Sequence, residues 1–118
     1  MATILIHIAT GPENPTRAAL GLLVARAAAE EGHDVRVFLA GDAVQFARPE
    51  TAEATSGVGT GSVSEHLDAL AAAGVPLFLS GMSSKARGVG AETRAGVELV
   101  TPQRLVELAT TSDTVLTY

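Results

Sequence analysis

Ile4-Leu5-Ile6-His7-Ile8, followed by Thr10-Gly11-Pro12-Glu13 and then Asn14-Pro15, is the stretch that decides the fold class. The apolar character of residues 4–8 hardly alternates, so they read as a strand buried on both faces, as in a parallel sheet. Asn14 is a side chain that caps a helix by accepting backbone N–H groups. Pro15 suits the first helical position, where no N–H is needed. The predicted helix runs through Leu20, Leu23 and Ala27, and Gly32 offers the left-handed residue that stops it. This is one strand–loop–helix unit.

The unit recurs along the chain. Val35-Arg36-Val37-Phe38-Leu39 reads as a second strand, and Gly41-Asp42 opens a less regular stretch to about Thr60. Long irregular stretches in compact domains serve as binding, interface or mobile loops. Ser62 with Glu65 forms a capping-box signature, and the helix it starts places Val63, Leu67 and Leu70 on one face before Gly74. Pro76-Leu77-Phe78-Leu79 is a third strand, followed by Ser80-Gly81-Met82-Ser83-Ser84-Lys85 and a short helix ending near Gly88. Val97–Val100 is a fourth strand. Thr101-Pro102 repeats the cap-plus-proline device before a helix that buries Leu105 and Leu108, and Thr114–Thr117 closes as a fifth strand. Alternating strands and helices imply right-handed crossovers. The expected fold is a three-layer α/β/α sandwich with a mainly parallel five-stranded sheet, in one domain over residues 1–118.

Composition agrees and excludes several functions. A 118-residue chain falls within the usual size of one domain, and 47% hydrophobic residues suit a packed core. Aromatic residues make up only 3%, so Ala, Val, Leu and Ile must build that core, with Phe38, Phe46 and Phe78 as its large fillers. The net charge is −5, and Arg17, Arg26, Arg36 and Arg48 are scattered. Nucleic-acid binding requires a concentrated positive surface, so no nucleic-acid partner is expected. Met1-Ala2-Thr3-Ile4 has no basic region ahead of its apolar run and does not read as a secretory signal. The apolar run of the first helix is broken by Arg26, short of the roughly 20 residues that span a membrane. The chain has no cysteine, which removes disulfide scaffolds and cysteine-based zinc sites. The expected location is the cytoplasm.

In an open α/β sheet, ligands bind beyond the carboxyl ends of the strands. Loops leaving such ends are Thr10-Gly11-Pro12-Glu13-Asn14, Gly41-Asp42 and Ser80-Gly81-Met82-Ser83. Each has a glycine that lets backbone approach a partner, and helix starts favour an anion. The same residues also serve ordinary turns and caps. The candidate ligand-binding residues are Thr10, Gly11, Asn14, Gly41, Asp42, Ser80, Gly81 and Ser83.

Enzymatic readings fare poorly. Gly81-Met82-Ser83-Ser84-Lys85 sits between strand and helix like a nucleophile elbow, but Lys85 stands where the second glycine belongs. The hydrolase order also wants a histidine after the serine, and the last one is His66. Gly57, Gly59 and Gly61 do not spell a dinucleotide fingerprint, and no phosphate loop exists. No cofactor is expected. The three histidines lack metal-ligand spacing, so no metal is expected either. His7 reads as a satisfied core residue, and His33 lies at the opposite end of the sheet from the candidate site. His66 borders the apolar face of its helix, where an interface role is the alternative, and is expected to face solvent. Lys85 and Arg87 read as a solvated helix face that is also able to steer an anion towards the third loop.

Read together, these segments resemble the DsrE/DsrF-like family. The matching residues are the first strand with Gly11-Pro12-Glu13-Asn14, then Gly32-His33-Asp34-Val35 leading to Phe38-Leu39-Ala40-Gly41-Asp42. The run from Leu79-Ser80-Gly81-Met82-Ser83 to Ala86-Arg87-Gly88 completes them. The resemblance implies a flavodoxin-like sandwich that assembles as trimers or hexamers. Some members of that family carry a persulfide on a cysteine just after the strand that ends here at Leu79. That position is Ser80 in this chain, and the second cysteine of some members falls on Ser83. A thiol with a pKa of about 8.5 yields usable thiolate, whereas a serine hydroxyl does not and forms no persulfide. The relay chemistry therefore does not carry over.

The expectation is a noncatalytic DsrE-like oligomer that binds a small polar or anionic ligand, or a protein partner, at the carboxyl ends of the strands. The alternative is a structural subunit that assembles with itself or with a cysteine-bearing paralogue. In that case the stretch Ala43–Gly61 and Tyr118 would supply the interface. A sulfur-transfer enzyme is the least favoured reading, because no activated nucleophile can be named.

Overall fold

The computed structural model describes residues 1–118. Strands β1 (Thr3–Ile8), β2 (Asp34–Leu39), β5 (Leu77–Ser80), β6 (Val97–Val100) and β7 (Thr114–Thr117) form one sheet in the order β6-β5-β2-β1-β7. Every neighbouring pair is parallel. The five strands read from the sequence are these five.

The strand order dictates where the helices lie. From β1 to β2 to β5 to β6 the chain steps in one direction across the sheet. Right-handed crossovers therefore put α1 (Pro15–Glu30), α3 (Val63–Ala72) and α4 (Gly81–Ala86) on one face. The return from β6 to β7 runs the other way, so α5 (Pro102–Thr110) falls on the opposite face. The cores match this division. A cluster of 20 buried residues, including Ile6, Ile8, Leu22, Val37, Leu39, Phe46 and Leu67, fills the first face. Only Leu5, Phe38, Phe78 and Leu108 form the buried cluster under α5. The Arg104 guanidinium lies 5.5 Å from the Phe78 ring centroid and shields that thinner layer as a cation–π contact.

The helix starts follow the sequence. The side chains of Asn14, Ser62 and Thr101 accept from the backbone N–H groups of Arg17, Glu65 and Arg104. α1 buries Ala18, Ala19, Leu22, Ala25 and Ala28 against the core, while Leu20 and Leu23 are 38% and 37% exposed. Close packing explains the choice. A Cβ on Gly21 would come within 2.8 Å of Ile8 and 3.1 Å of Tyr118, so at this turn the helix sits too near the sheet for a side chain, and the neighbouring core positions are mostly alanine.

The stretch after β2 is more regular than the sequence suggests. Residues Gly41–Ala47 form a 3-10 helix, Pro49–Ala54 form α2, and β3 (Ser56–Gly57) pairs antiparallel with β4 (Gly61–Ser62). The buried residues Ala43 and Phe46, and Val44 and Ala47, recur at the three-residue period of a 3-10 helix. Tyr118 is also tied into the fold. Its N–H donates to the His7 carbonyl, its carbonyl accepts from Ala9 N–H, and its ring packs against the large core. No helix is long and apolar enough to cross a membrane.

Candidate functional site

The three loops at the carboxyl ends of β1, β2 and β5 touch one another. Gly11 is buried against the second loop, where a Cβ would lie 2.4 Å from the Asp42 carbonyl oxygen. Only a residue without a side chain allows that approach. Gly41 takes φ +55°, a left-handed conformation, and its N–H donates to Ser83 Oγ at 2.9 Å. Arg87 clamps the same two loops, donating from Nε to Asp42 Oδ1 at 3.0 Å and from Nη1 to the Ser83 carbonyl at 3.1 Å. Arg48 extends the clamp by donating to the Arg87 carbonyl at 2.7 Å and to Gln45 Oε1 at 3.1 Å.

Most polar groups predicted to face a ligand are engaged within the chain. Ser80 Oγ caps α4 by accepting from Ser83 N–H at 3.2 Å. Gly11 N–H donates to Glu13 Oε1 at 2.8 Å, so the chain's own carboxylate occupies that donor. The Asn14 side chain caps α1, and Gly81 lies against the backbone of β6, where a Cβ would be 3.2 Å from the Val100 carbonyl oxygen. The Thr10 hydroxyl makes no hydrogen bond within the chain and sits half-buried beside Gly11. Next to this junction, an open depression of about 350 Å³ is lined by Pro12, Glu13, Asp42, Gln45 and Thr51.

Glu13, Gln45, Arg48 and Thr51 thus join the site without having been singled out in the sequence. Glu13 lies inside the first quoted loop, but nothing in its spacing signals that it turns back onto Gly11. Arg87 is an ion-paired clamp and not a freely solvated cation; its side chain is 28% exposed and that of Asp42 54%. Exposed pairs of this kind contribute about 0–1 kcal/mol, so the clamp orients the loops more than it stabilises them.

The histidines take no part in the site. His33 Nδ1 accepts from Ala2 N–H at 2.9 Å at the amino end of the sheet. His66, expected to face solvent, is buried at 4% exposure. Arg26 Nη1 lies 3.1 Å from its Nδ1, and its Nε2 lies 2.7 Å from the Thr60 carbonyl. Arginine only donates, so Nδ1 accepts and Nε2 carries the proton. His66 therefore pins the β3–β4 hairpin to α3 and α1, which explains its burial. His7 packs edge-on to Phe38, with ring centroids 5.8 Å apart, and its Nε2 is buried without a partner. The sequence reading of a satisfied histidine is corrected on that atom. Burial lowers the His7 pKa below the ordinary histidine value.

No catalytic constellation assembles around the serines. None of the histidines bonds to Ser80, Ser83 or Ser84. No residue other than glycine has a positive φ, so the strained turn of a nucleophile elbow is absent. No three His, Asp or Glu side chains come together to hold a metal ion.

The comparisons agree with this architecture. The chain is similar over its whole length to the crystal structure of the ychN protein from E. coli, with a TM-score of 0.83 and 26% identity, covering 100% of each chain. It shares its fold with a conserved protein of unknown function from Bacteroides thetaiotaomicron, at a TM-score of 0.71 and 14% identity, covering 99% of this chain and 95% of the other. No curated protein matches it. The model of the DsrE/DsrF-like family matches residues 2–118. With that match spanning almost every residue, the chain belongs to the DsrE/DsrF-like family.

Proposed function

We propose that this chain is a noncatalytic, cytoplasmic DsrE-family protein that binds a small polar or anionic ligand, or a protein partner, at the carboxyl ends of its strands. The binding face is made by Thr10, Gly11, Asn14, Gly41, Asp42, Ser80, Gly81 and Ser83. One observation carries the reading: both serines serve as fasteners. Ser80 Oγ caps α4, and Ser83 Oγ holds Gly41 N–H. A hydroxyl held this way, with no base beside it, is not an activated nucleophile. The role left to these loops is recognition.

The lining favours the polar ligand over the anionic one. Glu13 and Asp42 border the depression, and Glu13 already fills the Gly11 donor. A ligand presenting hydrogen-bond donors meets those carboxylates favourably, whereas an anion must displace Glu13. Titration of the isotope-labelled chain with ethanolamine and, separately, inorganic phosphate tests this by amide shifts. Saturable shifts at Gly11, Gly41 and Asp42, tighter for ethanolamine, support the reading. Shifts absent with both probes contradict the small-ligand reading.

A second reading is a structural subunit that forms a trimer or hexamer with itself, or assembles with a cysteine-bearing paralogue. It is favoured by Val58 and Met82, which are 88% and 70% exposed. Both lie at the carboxyl end of the sheet: Val58 N–H donates to Thr16 at the start of α1, and Met82 lies in the first turn of α4. Native mass spectrometry at micromolar concentration tests it. A strictly monomeric chain counts against self-assembly.

A further inference from the structure

At the amino end of the sheet, remote from the loops just described, a cleft of about 280 Å³ opens between the end of α3, the start of β5 and the turn before β6. Val37, Leu67 and Leu70 reach its floor, and these are core residues at 0%, 2% and 4% exposure. Pro76 and Leu77 continue the apolar wall, and Arg94 is the one charged side chain lining it. The cleft is therefore an apolar recess lying over the large core, with a single cation at its border.

That cation is incompletely matched. Arg94 Nη2 donates to Asp68 Oδ1 at 3.0 Å, the only hydrogen bond its guanidinium makes within the chain. The Arg94 side chain is 15% exposed, whereas that of Asp68 is 72% exposed. A guanidinium has five N–H donors in a rigid fork, so most of its donors have no protein acceptor. A carboxylate presents two acceptor oxygens that suit that fork. The apolar walls ask for a hydrocarbon body, and at roughly 30 Å³ per water-sized group the space holds on the order of ten non-hydrogen atoms. Ligand sites combine such apolar linings with a few placed polar groups.

We propose that this cleft binds a small amphiphilic carboxylate, a short fatty acid or similar acid, with its hydrocarbon against Ala71, Val75, Pro76 and Leu77 and its carboxylate on Arg94. A neutral head forgoes the ion pair with Arg94.

Titration of the isotope-labelled full chain with octanoate, and in parallel with 1-octanol, below aggregating concentrations tests the site. Saturable shifts centred on the amides of Leu70, Val75 and Gly96 are expected, with octanoate binding about tenfold tighter than the alcohol, the scale of one charge-assisted contact. Arg94→Gln should erase that preference. Ala71→Phe, placed at the exposed rim, should block both probes while leaving the rest of the spectrum in place. The proposal is overturned by shifts that do not saturate or that centre elsewhere, by equal binding of acid and alcohol, or by undiminished binding to Ala71→Phe.

Discussion

Gly11→Ala offers a test in which the sign of the effect carries the information. Gly11 is not among the glycines with positive φ, so alanine meets no left-handed strain there. Were its surroundings open, the substitution would stabilise the chain by about 0.4–1 kcal/mol through the unfolded state. The added Cβ instead lies 2.4 Å from the Asp42 carbonyl oxygen and 2.5 Å from its carbon. Those are backbone atoms and cannot rotate away, so the first and second loops must separate. Overpacking of this kind costs about 1–3 kcal/mol. At about 4 °C per kcal/mol for a chain of this size, the melting temperature falls by roughly 4–12 °C. Thermal denaturation followed by circular dichroism measures it. An unchanged or raised melting temperature would refute the convergence of the loops on which the candidate site depends.

Other substitutions separate the roles of individual groups. Ser83→Ala removes the acceptor of Gly41 N–H and should cost about 1 kcal/mol, read as a lower melting temperature. Ser84→Ala should act oppositely, because Ser84 Oγ is buried without a partner; a gain of about 1 kcal/mol is expected in denaturant unfolding. His7 has a folded-state pKa below its unfolded value, so the unfolded chain takes up the proton first as pH falls. Its contribution to stability is therefore complete above about pH 6.5 and declines below it towards the folded pKa. His7→Leu should flatten that part of the stability profile. His66→Leu removes both pins of the β3–β4 hairpin and should speed amide exchange at residues 57–61 selectively.

The parts of the fold that were legible in the sequence are those encoded locally. Unbroken apolar runs marked the strands, and Asn14-Pro15, Ser62 and Thr101-Pro102 marked helix starts because capping depends on neighbouring residues. The strand order β6-β5-β2-β1-β7 has no local signature, since each strand's apolar run suits several neighbours. The 3-10 helix at Gly41–Ala47 is hidden in the sequence because its three-residue spacing follows neither the helix nor the strand period. His66 read as exposed because its partner Arg26 is 40 residues away in the chain. The three loops of the candidate site were found by topology, since carboxyl ends of parallel strands share one edge. That Glu13, Ser80 and Ser83 spend their polar groups on the chain itself depends on contacts that spacing does not reveal.

The assignment of Ser80 as a cap in place of a sulfur carrier is most directly tested by intact-mass measurement after exposure to a persulfide donor. The wild-type chain should keep its mass, while Ser80→Cys, with a thiolate at the same loop, should gain one sulfur. A stable sulfur adduct on the wild-type chain would contradict the noncatalytic account.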